Sequence, residues 1–320
     1  MSRRLKSVGN RIFRGSTDGR FRASWRIVIA VGLTFAGAFC GVLVIQQLEV
    51  PDLFAPVVAH LFAVIAVLAT TGILARYVDH RRVSDYGFSI SLSWGVEVVV
   101  GAIIGVTLVG IAFGFAHQRG AVTTVDTLST GAAETLVAGF VVVLLGWIFV
   151  GLWEETLFRG LFFKNAAEGL SSRDVSPVKA TFIAWLLSSL VYGFLHGPLG
   201  SSPDGVSVLY ALGMTSVMGG LFGLAYLLSD ELALPIGLHT GINFADQNLF
   251  FAPPGGIAPA IVRTEHAVSG ARVEFQSLEP LVIVPVFVCG YLLILGWAYL
   301  FYEESPTSAR YVRSILQDNQ

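Results

Sequence analysis

The chain has 320 residues, of which 54% are hydrophobic and 13% charged, with a formal net charge of -2 and a mean hydropathy of +0.71. A soluble domain carries roughly 25% charged residues, so this chain cannot solvate its own surface and lipid must cover much of it. The near-neutral balance, with no sustained basic and aromatic patch beyond the first residues, excludes nucleic acid as a partner, and two cysteines in apolar stretches, Cys40 and Cys289, give no disulfide framework.

Residues 1–25 form a basic arm containing Arg3, Arg4, Lys6, Arg11, Arg14, Arg20 and Arg22. The apolar run from Ile27 to Ile45 is too long for the core of a signal peptide and lacks a small-residue cleavage site, so it is expected to remain as the first helix. A crossing needs roughly 20 mostly apolar residues. On that criterion helices are expected at Arg26 to Gln46, Phe54 to Ala75, Trp94 to Ala116 and Ala132 to Phe163. Four more follow at Ala180 to His196, Val206 to Leu228, Leu234 to Phe250 and Leu281 to Tyr302. The seventh is short and carries polar residues.

The expected fold is therefore all-α, a polytopic transmembrane bundle of about eight helices with an intramembrane polar cavity. Its parts are the arm, three N-terminal helices (26–131), a core (132–250), an extracytoplasmic loop (251–280), and a last helix with its tail (281–320). Lys and Arg in the arm, at Arg76, Arg81 and Arg82, and at Arg159, Lys164, Arg173 and Lys179 alternate with basic-poor connections. That pattern puts both termini in the cytoplasm, and the expected location is a prokaryotic plasma membrane.

Three short patterns place chemistry inside apolar segments. WEETLFRG brings Glu154, Glu155 and Arg159 to the end of a long apolar run, where an unpaired carboxylate is costly. Glu155 and Arg159 share a helical face and can pair, while Glu154 points about 100° away. LVYGFLHGP ends an apolar segment on His196, with Tyr192 one turn before it. PIGLHTGINF sets His239 and Asn243 four residues apart on one face. The bland alternative is a helix leaving the bilayer near Trp153, with ordinary interfacial charges and histidines satisfied within the core. Two histidines and an acidic pair together argue against it. If the fourth helix runs to Gly169, Glu154 lies about 22 Å from its end, and His196 lies about 24 Å beyond Ala180 at 1.5 Å per residue. Antiparallel neighbours would then hold the two at one level.

In this order and spacing, EExxxR, aromatic-xxx-His and His-xxx-Asn resemble the CAAX-protease and bacteriocin-processing family of intramembrane endopeptidases, which includes type II CAAX prenyl endopeptidases and lysostaphin-resistance-type proteins. The likeness covers roughly Ala132 to Phe250. It departs at Tyr192, where the family usually has Phe. The resemblance implies that Glu154 is the base, that Glu155 pairs with Arg159, that His196 works with Glu154 on the attacking water, and that His239 and Asn243 steady the oxyanion. Peptide hydrolysis asks for such a base and such donors on general grounds. Glu154, His196 and His239 could also supply the two-histidine, one-carboxylate set of a zinc or other divalent-metal site, although a metal-free glutamate mechanism uses the same residues. The implied partners are membrane lipid and a membrane-associated peptide or protein substrate.

No HExxH, GxSG or GxGD is present, which argues against the site-2, rhomboid and presenilin types of membrane protease. A transporter would be expected to show an internal repeat, and none stands out. An immunity or binding protein on the same scaffold is a further reading that the motifs leave open.

Overall fold

The computed structural model describes residues 13–14, 20–173, 175–199 and 206–302. Most of the basic arm, the 200–205 connection and the C-terminal tail lie outside the described residues. The chain folds as an all-α helical bundle with one small sheet, and among the described residues seven helices are long and apolar enough to cross a membrane. They are α1 (Ala23–Gln47), α2 (Ala55–Ile73, prolonged by a π-turn to Val78), α3 (Leu92–Gln118), α4 (Leu136–Glu155), α6 (Pro177–His196), α7 (Val208–Ser229) and α9 (Pro280–Phe301). α4 continues without a break through a π-helical stretch, Thr156–Phe163, into α5 (Lys164–Ser171). In hydrocarbon a backbone must satisfy its own hydrogen bonds, which is why these apolar runs are helical throughout. The polar ends supply the caps: Ser91, Thr135 and Ser207 accept bonds from Trp94, Ala138 and Tyr210 N–H, and Pro177 and Pro280 open α6 and α9.

The expected seventh crossing differs in kind from its neighbours. It is α8 (Ala233–Phe244) followed by a π-turn, Ala245–Phe250, and it does not meet the length and hydropathy of the seven spans. Every residue from Ala233 to Ile242 is buried. Protein rather than lipid surrounds this helix, so it has no need of a uniformly apolar surface, and it can carry His239 and Asn243.

Close packing against α3 fixes α8. Gly101 and Gly105 on α3 face Gly237 and Gly241 on α8. A Cβ at Gly105 would lie 2.6 Å from the Leu238 carbonyl oxygen, and one at Gly241 would lie 2.2 Å from that of Ala102. Only glycine permits such an approach, the small-xxx-small contact by which membrane helices bring their backbones together. On the other side, Gly151 of α4 abuts Ile236 and Thr240.

The connection after α3 and the 251–280 loop contain β-structure. β1 (Val122–Ser129) pairs antiparallel with β2 (Ala260–His266), from Val122 opposite His266 to Ser129 opposite Ala260, with an irregularity between Thr124 and Asp126. Buried Arg263 ties this layer together, donating to the carbonyls of Pro253, Gly256 and Ala258. At the opposite end, Arg26 and Arg81 meet Asp79 and Glu168 in a mostly buried ionic network, and Tyr86 donates to Asp79. Burial and the neighbouring Asp79 push the Tyr86 phenol well above its usual range.

Candidate active site

Glu154 and Glu155 occupy the last turn of α4, where the helix widens into its π-helical stretch. π-turns recur at functional sites because they redirect side chains that a regular helix would hold in register. Both carboxylates are buried, and each meets a different set of partners.

Glu155 faces Arg159, its Oε2 3.1 Å from Arg159 Nε. Arg159 Nη2 donates to the Gly219 carbonyl of α7 at 2.6 Å. The guanidinium also lies over the rings of Phe158, Tyr192 and Phe222, at 5.7, 5.0 and 5.4 Å from their centroids, so its charge is matched by a carboxylate, a carbonyl and three π-faces. The other Glu155 oxygen, Oε1, lies 2.8 Å from His239 Nδ1. An Nδ1–H donated to this carboxylate leaves His239 Nε2 directed at Glu154 Oε2, 3.8 Å away. The imidazole of His239 is stacked on Phe222, with centroids 4.7 Å apart and an interplanar angle of 8°.

Glu154 Oε2 also lies 3.2 Å from His196 Nε2. His196 Nδ1 is 2.9 Å from the Tyr192 carbonyl oxygen one turn back, and its ring stacks on that of Tyr192 at 4.1 Å. With Nδ1–H donated to the carbonyl, a single proton must be shared between Nε2 and the carboxylate for the pair to be stable. Glu154 Oε2 is buried and receives no aligned hydrogen bond from a described residue, which makes it a ready acceptor for the proton of a small donor entering between the rings. The His196 side chain is 34% exposed against 2% for His239, so the approach to Glu154 is from the end of α6.

Five of the six residues singled out in the sequence therefore meet directly: Glu154, Glu155, Arg159, His196 and His239. Asn243 lies one turn beyond His239, partly exposed, with no hydrogen bond to a described residue. Two contributors were not anticipated: Phe222 supplies the platform for His239, and the Gly219 carbonyl anchors Arg159.

The donor types suit a divalent metal, since both histidines have Nδ1 engaged and Nε2 turned towards a carboxylate. Among the described residues no group of three or more His, Cys, Asp or Glu side chains stands out as one that could hold a metal ion.

Fold and site together define an integral membrane protein of the helical-bundle class with a buried glutamate–histidine centre. Residues 136–245, from the start of α4 to the end of α8, match the family described as Type II CAAX prenyl endopeptidase Rce1-like, and this stretch contains all six of the residues named above. The match agrees with the family that the sequence motifs resemble. Neither a curated protein nor a solved structure gives a significant match.

Proposed function

We propose that this protein is an intramembrane endopeptidase that hydrolyses a peptide bond in a membrane-associated or lipid-anchored peptide or protein, using a water activated by Glu154. The observation that carries this reading is the buried Glu154 oxygen, flanked by two imidazole Nε2 atoms and lacking an aligned donor of its own.

Water bound between Glu154 and His196 gives its proton to the carboxylate as its oxygen attacks the carbonyl carbon. The carbonyl electrons move onto oxygen, and the resulting oxyanion is steadied by the Asn243 side-chain amide and by His239, whose Nε2 donates when the ring carries a second proton beside the Nδ1–H held by Glu155. When the C–N bond breaks, the proton held by Glu154 passes to the leaving amine. Glu155 acts through His239, fixing its tautomer, and Arg159 fixes Glu155. Prenylated CAAX sequences are the substrate class named by the matched family and are the first to try. Both termini are assigned to the cytoplasm from the loop basic residues.

The test uses protein reconstituted in lipid nanodiscs and a fluorogenic peptide with a prenylated C-terminal CAAX sequence. The wild type is expected to cleave it, and Glu154→Ala to lose cleavage while still binding it. Equal cleavage by the two proteins would overturn the enzymatic reading. A second expectation concerns metal: after chelation and exhaustive dialysis, cleavage persists with no stoichiometric metal detected by elemental analysis. Loss of activity restored by added zinc would instead assign Glu154, His196 and His239 as metal ligands.

A further inference from the structure

In lipid no hydrophobic force draws apolar helices together, and they are held to one another by packing and by interhelical hydrogen bonds. Several hydroxyls along these spans make no such bond. Thr71, Ser189 and Ser216 donate instead to the carbonyls of Val67, Trp185 and Leu212, four residues back on their own helices, at 2.7, 2.7 and 2.6 Å. Two buried hydroxyls, Ser188 and Thr240, reach a different helix. Ser188 Oγ on α6 donates at 3.1 Å to the Phe158 carbonyl, inside the π-helical stretch that continues α4, and Thr240 Oγ1 on α8 donates at 3.3 Å to the Trp147 carbonyl of α4. A helical carbonyl keeps a second lone pair for such a donor. At Trp147 the room comes from Gly151 one turn on, where a Cβ would stand 2.9 Å from Thr240 Oγ1.

These two bonds bracket the glutamates. Trp147 lies seven residues before Glu154 and Phe158 four after it, and the helices that supply the hydroxyls are the two that supply the imidazoles. On α6 the donor stands eight residues before His196, and on α8 it is the residue after His239. Both helices run antiparallel to α4: Ser188 meets Phe158 while His196 meets Glu154, and Ile236 abuts Gly151 while Thr240 meets Trp147. Each is therefore fastened to the glutamate helix at a point apart from the ionisable groups, so the placement of His196 and His239 does not depend on attraction to the carboxylates alone. We propose that Ser188 and Thr240 are positioning residues of the centre, hydroxyl ties that hold the two histidine-bearing helices in register with Glu154. A misplacement of about 1 Å at a reacting group can cost about a hundredfold in rate. The catalytic consequence rests on the hydrolytic reading of the site, but the placement of the imidazoles can be measured without it.

In reconstituted protein with 15N-labelled histidine rings and 13C-labelled glutamate carboxyls, solid-state NMR reads the dipolar coupling between the two directly. That coupling is expected to weaken in Ser188→Ala and in Thr240→Val, which lose the hydroxyl, and to persist in Thr240→Ser, which keeps it. In the cleavage assay, Ser188→Ala and Thr240→Val should each lower kcat about tenfold with KM nearly unchanged, and Thr240→Ser should recover most of the loss. Ser189→Ala, which removes a hydroxyl bonded within its own helix, should stay within about twofold of the wild type. Undiminished coupling in Ser188→Ala and Thr240→Val, a Thr240→Ser as slow as Thr240→Val, a Ser189→Ala as slow as Ser188→Ala, or a change confined to KM would each overturn the proposal. Wild-type cleavage by Glu154→Gln would remove the hydrolytic reading instead, and the coupling would still decide whether the two hydroxyls place the imidazoles.

Discussion

Arg159 is fully buried beside Glu155, and the pair holds His239 through the second carboxylate oxygen. Removing one partner of a buried ion pair leaves the other charge without compensation and typically costs about 3–5 kcal/mol. Arg159→Met is therefore expected to lower stability by that order, measured by thermal unfolding in detergent, and Arg159→Met with Glu155→Gln should recover much of the loss. If the double variant were no more stable than the single, the buried charge of Glu155 would not be the cause. The Glu155–Arg159 pairing was legible from four-residue spacing, as was the common face of His239 and Asn243. The Gly219 carbonyl was not, because a backbone acceptor has no residue-type signature.

Among the elements, the α3–α8 contact does most to place His239. Its signal is present in the sequence as Gly101 with Gly105 and Gly237 with Gly241, each pair four residues apart, but hydropathy alone does not say which helices the glycines join. A methyl group at Gly105 would fall 2.6 Å from the Leu238 carbonyl oxygen, whereas Gly114 on the same helix has open space around it. Gly105→Ala is expected to cost about 1–3 kcal/mol through overpacking and to slow cleavage by displacing α8, while Gly114→Ala stays neutral or gains slightly. Equal behaviour of the two variants in unfolding and cleavage assays would contradict this account of the interface. The π-turn after Glu155 could not be read in advance, since WEETLFRG fits a regular helix equally well. The strands had a local signal in the β-branched residues of VTTV and of AIVRT, but their pairing spans more than a hundred residues and is invisible to local pattern.

For the molecule as a whole, apolar length revealed the bundle, and the exception is informative: α8 escapes the hydropathy criterion because the other helices enclose it. The end of the bundle that carries the two-stranded sheet holds a separate titrating group outside the seven spans. Burial and the nearby Glu274 raise the Asp246 carboxyl from its ordinary 3.8 to about 7, although Phe275 N–H and the Gln247 side chain donate to it. An acid raised in the folded state keeps its proton where the unfolded chain has lost it, so its contribution to stability falls as pH rises from about 4 to about 7 and is level above that. Asp246→Asn should therefore gain stability relative to the wild type across that window, followed by thermal unfolding at each pH, and a difference independent of pH would contradict the assignment. These features support a centre whose chemistry depends on one carboxylate held between imidazoles inside the bundle. The most direct test is the single-turnover cleavage rate of Glu154→Gln in a variant whose thermal unfolding matches the wild type. The account predicts a fall of about a hundredfold or more, and a rate within about twofold of the wild type, too small a change for loss of a general base, would contradict it.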